Sequence, residues 1–200
     1  DRHCDFEDGW CSWQNFVTGR GNRPKGNRLS WMLGGGTVKT TLLKPRRDHT
    51  FGNGTGSYIF VSNFERINGD QAELIGESLP MNRKITQCVE FWYQIAGHSD
   101  TNLKVRALPT TQGYRLQMPL WTQGGGGPVT WLLGRVAAPH DSRLIFQATV
   151  GPASTPAYVA LDDITIKETD LCETFPKTAD ALPVVDLLSC SFKHPHLCHW

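Results

Sequence analysis

The sequence predicts an all-β fold, a sandwich of two antiparallel sheets, and three observations carry that reading. Between residues 56 and 166, apolar and polar residues alternate with period two in short runs. Turn-rich stretches such as QGGGGP (123–128) separate the runs, which recur at about 10–15 residues, as sandwich strands do. No window of a dozen residues shows an apolar stripe of helical period between caps.

The strands follow in order. GSYIFVSN (56–63) and AELIGESL (72–79) come first. In QCVEFWYQI (87–95), Val89, Phe91, Tyr93 and Ile95 share one face, with Glu90, Trp92 and Gln94 on the other. NLKVRAL (102–108) sets Leu103, Val105 and Ala107 against Lys104 and Arg106. YRLQMPLW (114–121), TWLLGRVA (130–137) and RLIFQATV (143–150) continue the series, and AYVALDDITI (157–166) closes it. Both faces of that last strand are apolar, so it is expected at the centre of a sheet, covered on both sides. Asp162 and Asp163 sit in its middle, and strict alternation sends them to opposite faces. A buried carboxylate needs backbone donors, an arginine or a cation. Two readings stay open: an aspartate that binds loop amides, or a metal ligand.

Composition sets the class of protein. The 200 residues are 39% hydrophobic and 20% charged, with a net charge of +1, enough for one domain and a tail. That balance gives no argument for a nucleic-acid partner. The basic clusters at 19–28 and 44–47 read as solvated loop charges. No apolar run approaches the length of about 20 residues needed to span a bilayer, and none resembles a signal peptide, so the chain is expected to be a piece of a larger protein or a mature form. Cysteines stand at 4, 11, 88, 172, 190 and 198, with no CxxC, which favours disulfides in an oxidising compartment over redox or zinc chemistry. Asn53 opens the only Asn-x-Ser/Thr sequon, NGT, and is expected to carry a glycan. An extracellular location follows.

After residue 172 the alternation stops. Residues 173–189, with two prolines, read as a linker, and CSFKHPHLCHW (190–200) repeats the pattern of CDFEDGWCSW (4–13). The end of the chain therefore reads as the truncated start of a second module. If the opening pair is local to each copy, Cys4 joins Cys11 and Cys190 joins Cys198, leaving Cys88 for Cys172. The histidines 194, 196 and 199 around Cys198 could alternatively form a metal tract.

Taken together, CDFED…WCSW, DHTFGNGTGSYIFV, AELIGESL, QCVEFWYQIAG, NLKVRAL, PLW, TWLLGRV, RLIFQATVG and AYVALDDITIKETDLC resemble the MAM domain, the extracellular module of meprins, neuropilins and receptor-type tyrosine phosphatases. CSW stands where the family has Cys-Gly-Trp, and KPRR replaces a Gly-Pro before Asp48. The resemblance implies a jelly roll over residues 1–172. It also implies a structural cation, calcium or sodium, held by Glu7, Asp48 and Asp162, with Asp163 as the alternative. A hard cation takes such carboxylates together with loop carbonyls. Asp48 as a turn residue is the competing reading.

Catalysis is not expected. HExxH, GxSxG and P-loop motifs are absent. Carboxylates that diverge from adjacent strand positions cannot flank one glycosidic bond. His49 follows an aspartate but has no recognisable nucleophile. Two functions remain: a module that binds other proteins or copies of itself, implied by the resemblance, and a lectin-like module that binds glycan. A glycan platform would draw on Trp92, Trp121 or Trp131, although Trp10, Trp13, Trp31 and Trp121 sit at positions expected in the core.

Overall fold

Residues 2–16, 29–35, 38–80, 86–110 and 118–179 are described by a computed structural model. The expectations for the basic cluster 19–28, the first part of the 114–121 strand, the linker beyond 179 and the Cys190–Cys198 pair lie outside these residues. Among the described residues there are eleven strands: β1 (Arg2–Cys4), β2 (Gln14–Asn15), β3 (Met32–Gly35), β4 (Ser57–Ser62), β5 (Asp70–Ser78), β6 (Thr86–Ala96), β7 (Asn102–Pro109), β8 (Met118–Gly124), β9 (Leu132–Ala138), β10 (Ser142–Val150) and β11 (Tyr158–Thr169). All pair antiparallel. One sheet runs β3-β4-β11-β6-β9, with β1 added to the far half of β11; the other runs β2-β5-β10-β7-β8. The result is a jelly-roll sandwich. Among the described residues no helix is long and apolar enough to cross a membrane.

The alternation of β6 and β7 is realised as pleat. Val89, Phe91, Tyr93 and Ile95 enter the space between the sheets and meet Leu103 and Val105 from the other side. Phe91 lies at the centre, edge-on to Phe146 and Trp121 with ring centroids 4.9 and 5.0 Å away. Strands β1, β2 and β3 are short or glycine-rich, so their alternation does not show in the sequence. One margin of the sandwich is clamped by Asn15, whose side chain accepts from the Trp31 amide at 2.8 Å and donates to the Trp31 carbonyl at 3.1 Å.

Disulfides join Cys4 to Cys11 and Cys88 to Cys172, with S–S distances of 2.09 and 2.06 Å. The second closes a separation of 84 residues, which in the chain-entropy model contributes about 4–5 kcal/mol. The expected linker departs from the structure at its start. Residues 173–179 pack against the sandwich, where Phe175 exchanges two backbone hydrogen bonds with Arg135 of β9, each 2.9 Å. The Trp121 indole donates to the Phe175 carbonyl at 2.9 Å, and Ala179 is buried in the core. Loss of alternation marked the end of the pleated strands, not the end of the folded unit.

As its two apolar faces predicted, β11 is central and covered on both sides. Val159, Leu161 and Ile164 face the main core. Tyr158 and Ala160 face outward into a second cluster with Tyr58, Phe60 and Ala96, against which Leu42 and Trp131 pack. Leu42 belongs to the long β3–β4 connection, residues 38–56, a strap across the outside of the six-stranded sheet.

Candidate functional site

The strap brings the predicted acidic residues to the outer face of β11. Its residues 48–53 have no strand to pair with, so their backbone amides need other acceptors. Asp48, 1% exposed, accepts from the Phe51 amide at 2.5 Å and the Asn53 amide at 3.0 Å. Its own N–H donates to the Asn53 carbonyl at 3.0 Å. Gly56 makes room for this carboxylate, since a Cβ there would stand 2.2 Å from Asp48 Oδ2. The turn-residue reading of Asp48 therefore describes its contacts.

Asp162, 0% exposed, reaches the strap from below. Its Oδ2 accepts from the His49 amide at 2.8 Å and the Thr50 amide at 3.4 Å, and its Oδ1 from the Asp163 amide at 2.8 Å. Burial pushes its pKa up to about 8, against the pull of the His49, Asp163 and Thr50 amides and with a further push from the Asp163 charge. Beside it the Tyr58 hydroxyl donates to the Pro45 carbonyl. Burial raises the Tyr58 pKa, with Tyr158, Asp162 and Asp48 adding to the effect.

The expected divergence of Asp162 and Asp163 is corrected by the structure. Asp162 pairs with Trp92 and Thr165 with Glu90, so β11 accommodates an extra residue between them. Asp163 takes a positive φ of 48°, a conformation aspartate tolerates better than most residues. The bulge turns the second carboxylate to the same strap dipeptide as the first. Asp163 Oδ2 lies 2.5 Å from His49 Nδ1, and its Oδ1 accepts from the Thr50 hydroxyl at 3.1 Å. His3 Nε2 of β1 lies 3.5 Å from the same Oδ1. His49 in turn stacks on Trp92 at 3.8 Å and 15°. Glu7 stands apart, its Oε1 accepting from the Ser57 amide at 2.6 Å.

The four carboxylates thus gather along the strap without converging on a point. Among the described residues no group of three histidine, cysteine, aspartate or glutamate side chains is placed to hold a metal ion. Asn53 is exposed, and its Oδ1 accepts from the Thr55 amide and hydroxyl, both at 2.7 Å.

The glycan candidates are largely committed elsewhere. Trp121 is fully buried, Trp131 donates its indole N–H to the Arg47 carbonyl at 2.9 Å, and Trp92 has one face under His49. Glu73 is paired with Arg106, and Glu90 with Arg135 and Lys167. The Lys167 and Arg135 hydrogen bonds hold the Glu90 carboxyl below its ordinary range, against its partial burial. Sequence reasoning missed the structural roles of His49 and Thr50. The signal was a polar triplet, Asp48–Thr50, facing a strand that carried two unexplained carboxylates. It also missed Asn63, 3% exposed, which holds the 151–157 loop through the Pro152 and Thr155 carbonyls and the Ala157 amide.

Residues 4–173 match the model of the family described as MAM domain, meprin/A5/mu. MAM domain-containing protein 2 of Mus musculus is 32% identical over 165 residues, and its Homo sapiens counterpart is 32% identical over 167. In each case 80% of this chain is covered but only 22% of the relative, so the chain spans about a fifth of the length of the curated relatives it matches. Among solved structures, the K1 cleaved adhesin domain of Lys-gingipain from Porphyromonas gingivalis W83 is similar, with a TM-score of 0.58 and 17% identity. That match covers 83% of this chain and 96% of the other. The K3 cleaved adhesin domain of the same protein gives 0.54 and 18%, covering 83% and 97%. At such identities the likeness is one of fold.

Proposed function

The chain belongs to the MAM domain family, and from that premise we propose that it is a non-catalytic interaction and adhesion module, presented outside the cell as part of a larger secreted or cell-surface protein. One observation supports this above the rest. The acidic and histidine side chains most able to do chemistry are spent on structure: Asp48 closes the strap's own turn, and His49, Asp162 and Asp163 hold the strap to the sheet. The site is architecture, and the surface it shapes is what remains for partners. A glycan on Asn53 would mark the strap's exposed loop as a face turned to solvent.

The test is a binding screen of the oxidised domain against purified ectodomains and, in parallel, a glycan array. Saturable binding to an ectodomain, unaffected by Trp92→Ala, is expected. Binding to the array that Trp92→Ala abolishes would replace this reading with the lectin-like one.

A calcium or sodium ion at Glu7, Asp48, Asp162 and Asp163 is a second reading of the same carboxylates. The full burial of Asp162, with its raised pKa, favours it, because a cation would offset the cost of that charge. The spacing of the four speaks against it. Calcium added during a thermal melt decides: a rise in melting temperature that Asp48→Asn removes would establish the ion. An identical melt with calcium or chelator leaves the hydrogen bonds alone to hold the strap.

A further inference from the structure

An asparagine side chain is most open to attack by its own backbone when glycine follows it, because glycine puts no side chain in the way of the next amide nitrogen. The chain holds two such pairs, Asn53–Gly54 in the strap and Asn68–Gly69 in the β4–β5 turn, and all four residues are exposed. Their surroundings differ at the atoms that would react.

In the β4–β5 turn the nucleophile is occupied. The Gly69 N–H donates to the Val150 carbonyl at 2.9 Å. The turn around it is closed by the Asp70 amide on the Ile67 carbonyl at 3.0 Å and by the Ile67 amide on the Asp70 carboxylate at 3.1 Å. For the Gly69 nitrogen to reach Asn68 Cγ, its bond to Val150 must break.

In the strap the nucleophile is free and the carboxamide is held over it. Among the described residues the Gly54 N–H makes no hydrogen bond. Asn53 Oδ1 reaches forward past Gly54 to accept from the Thr55 amide and hydroxyl, each at 2.7 Å, and from the Gly56 amide at 3.3 Å. Three donors on one carboxamide oxygen draw charge from Cγ, and they stand where an oxyanion would form on attack. The Asn53 backbone is fixed as well, its N–H donating to Asp48 Oδ1 and its carbonyl accepting from the Asp48 amide, both at 3.0 Å. Nucleophile and carbonyl carbon therefore stay close together. Gly54 and Asn53 also border a recess of about 220 Å³, through which water reaches both.

We propose that Asn53, where it carries no glycan, is a site of self-modification in which the Gly54 nitrogen closes on Asn53 Cγ. The N–Cγ bond forms as the Gly54 proton passes to solvent, and the Cγ–Nδ2 bond breaks as Nδ2 takes up a proton and departs as ammonia. One water then opens the five-membered imide at either carbonyl, leaving aspartate or isoaspartate at position 53. The reaction consumes only water and involves no change of oxidation state. It sets a new negative charge beside the buried Asp48 carboxylate, and the isoaspartate form reroutes the backbone that Asp48 holds. Cyclisation and glycosylation compete for one carboxamide, since the first removes the nitrogen that the second would use. This inference goes beyond the interaction-module reading and does not depend on it.

The test uses the oxidised full chain, produced in a host that adds no N-linked glycan and aged in mildly alkaline buffer. Peptide mapping by mass spectrometry, with an isoaspartate-specific methylation assay, follows both positions over time. In the folded chain Asn53 should convert about tenfold faster than Asn68, or more. In the reduced chain in urea, where neither set of hydrogen bonds survives, the two should convert at similar rates. A Cβ at Gly54 meets only the Arg46 carbonyl, at 3.7 Å, so Gly54→Ala fits the fold and should slow position 53 alone. Thr55→Val should slow it in the folded chain but not in urea, and Thr55→Ser, which keeps the hydroxyl, should restore it. Similar rates at the two sites in the folded chain, an Asn53 that does not convert, or a folded Thr55→Val that converts like the parent overturns the proposal.

Discussion

The inner and outer faces of β11 are equally well buried, but by different means. Inward, Val159, Leu161 and Ile164 meet the opposite sheet, and apolar packing suffices because both partners have their backbone groups satisfied in ladders. Outward, Tyr158 and Ala160 are covered by an irregular strap. An irregular segment brings unpaired amides with it, and burying them requires acceptors. Asp48 and Asp162 supply those acceptors, with Asp163 holding the His49 and Thr50 side chains. Carboxylates in the middle of an apolar strand are therefore the counterpart of what covers it.

The largest effect should come from the inner face. Phe91→Ala removes a ring packed on Phe146 and Trp121 with no room for neighbours to collapse, and should cost about 3–5 kcal/mol. Urea unfolding would measure it as a shifted midpoint with an unchanged slope. A loss no larger than about 1 kcal/mol would mean that the inner face is not the tighter of the two.

Asp162 gives the outer face a pH dependence. Its folded pKa is raised from 3.8 to about 8, so the folded state binds a proton more tightly than the unfolded chain does. Stability from this group is fully present below about pH 4 and is lost as pH rises through about 8. Wild type should lose about 1–3 kcal/mol relative to Asp162→Asn between about pH 5 and pH 8. Parallel melting curves for the two proteins over that window would show that the strap amides keep Asp162 ionised throughout. The outer face would then be held by charge-assisted bonds without a titration cost.

Gly56→Ala asks whether the strap is a separate unit. The added Cβ meets Asp48 Oδ2 at 2.2 Å, so the carboxylate must leave the Phe51 and Asn53 amides, at a cost of about 1–2 kcal/mol. Hydrogen exchange at those two amides should accelerate while β6 and β10 keep their protection. Exchange that accelerates equally everywhere would make strap and sandwich one cooperative body.

The same division explains what could be read from the sequence. Each of the eight predicted runs overlaps an observed strand, because a half-buried pleat writes itself as period two. The 114–121 run overlaps only at its end, since β8 begins at Met118 and continues to Gly124. β1, β2 and β3 were illegible: two or three residues, or a Gly-Gly pair, carry no period. The two covered faces of β11 were legible from composition, yet the covering segment was not, because a strap packs through Leu42 and scattered polar contacts rather than a repeat. The bulge was hidden for a related reason. Assigning Asp162 and Asp163 to opposite faces presumes a regular pleat, and nothing in the letters announces the positive φ at Asp163.

Glu90 supplies the smallest effect and the sharpest contrast. It lies on the same outer face, two residues from Trp92, but below the strap, where the sheet is open and every backbone group is already in a ladder. No amide waits for its carboxylate; Arg135 and Lys167 do, and both are partly exposed. Glu90→Gln should therefore cost under about 1 kcal/mol at neutral pH. Its pKa is lowered, first by the Lys167 hydrogen bond, so its contribution is present above the ordinary carboxylate range and fades only as pH falls through the depressed value. Two carboxylates on one sheet face then titrate with opposite sign in separate windows, Asp162 towards the alkaline side and Glu90 in acid. Acid melts of Glu90→Gln should show less loss than wild type. Equal losses would mean that solvent screens the pair completely and that only carboxylates beneath the strap tie stability to pH.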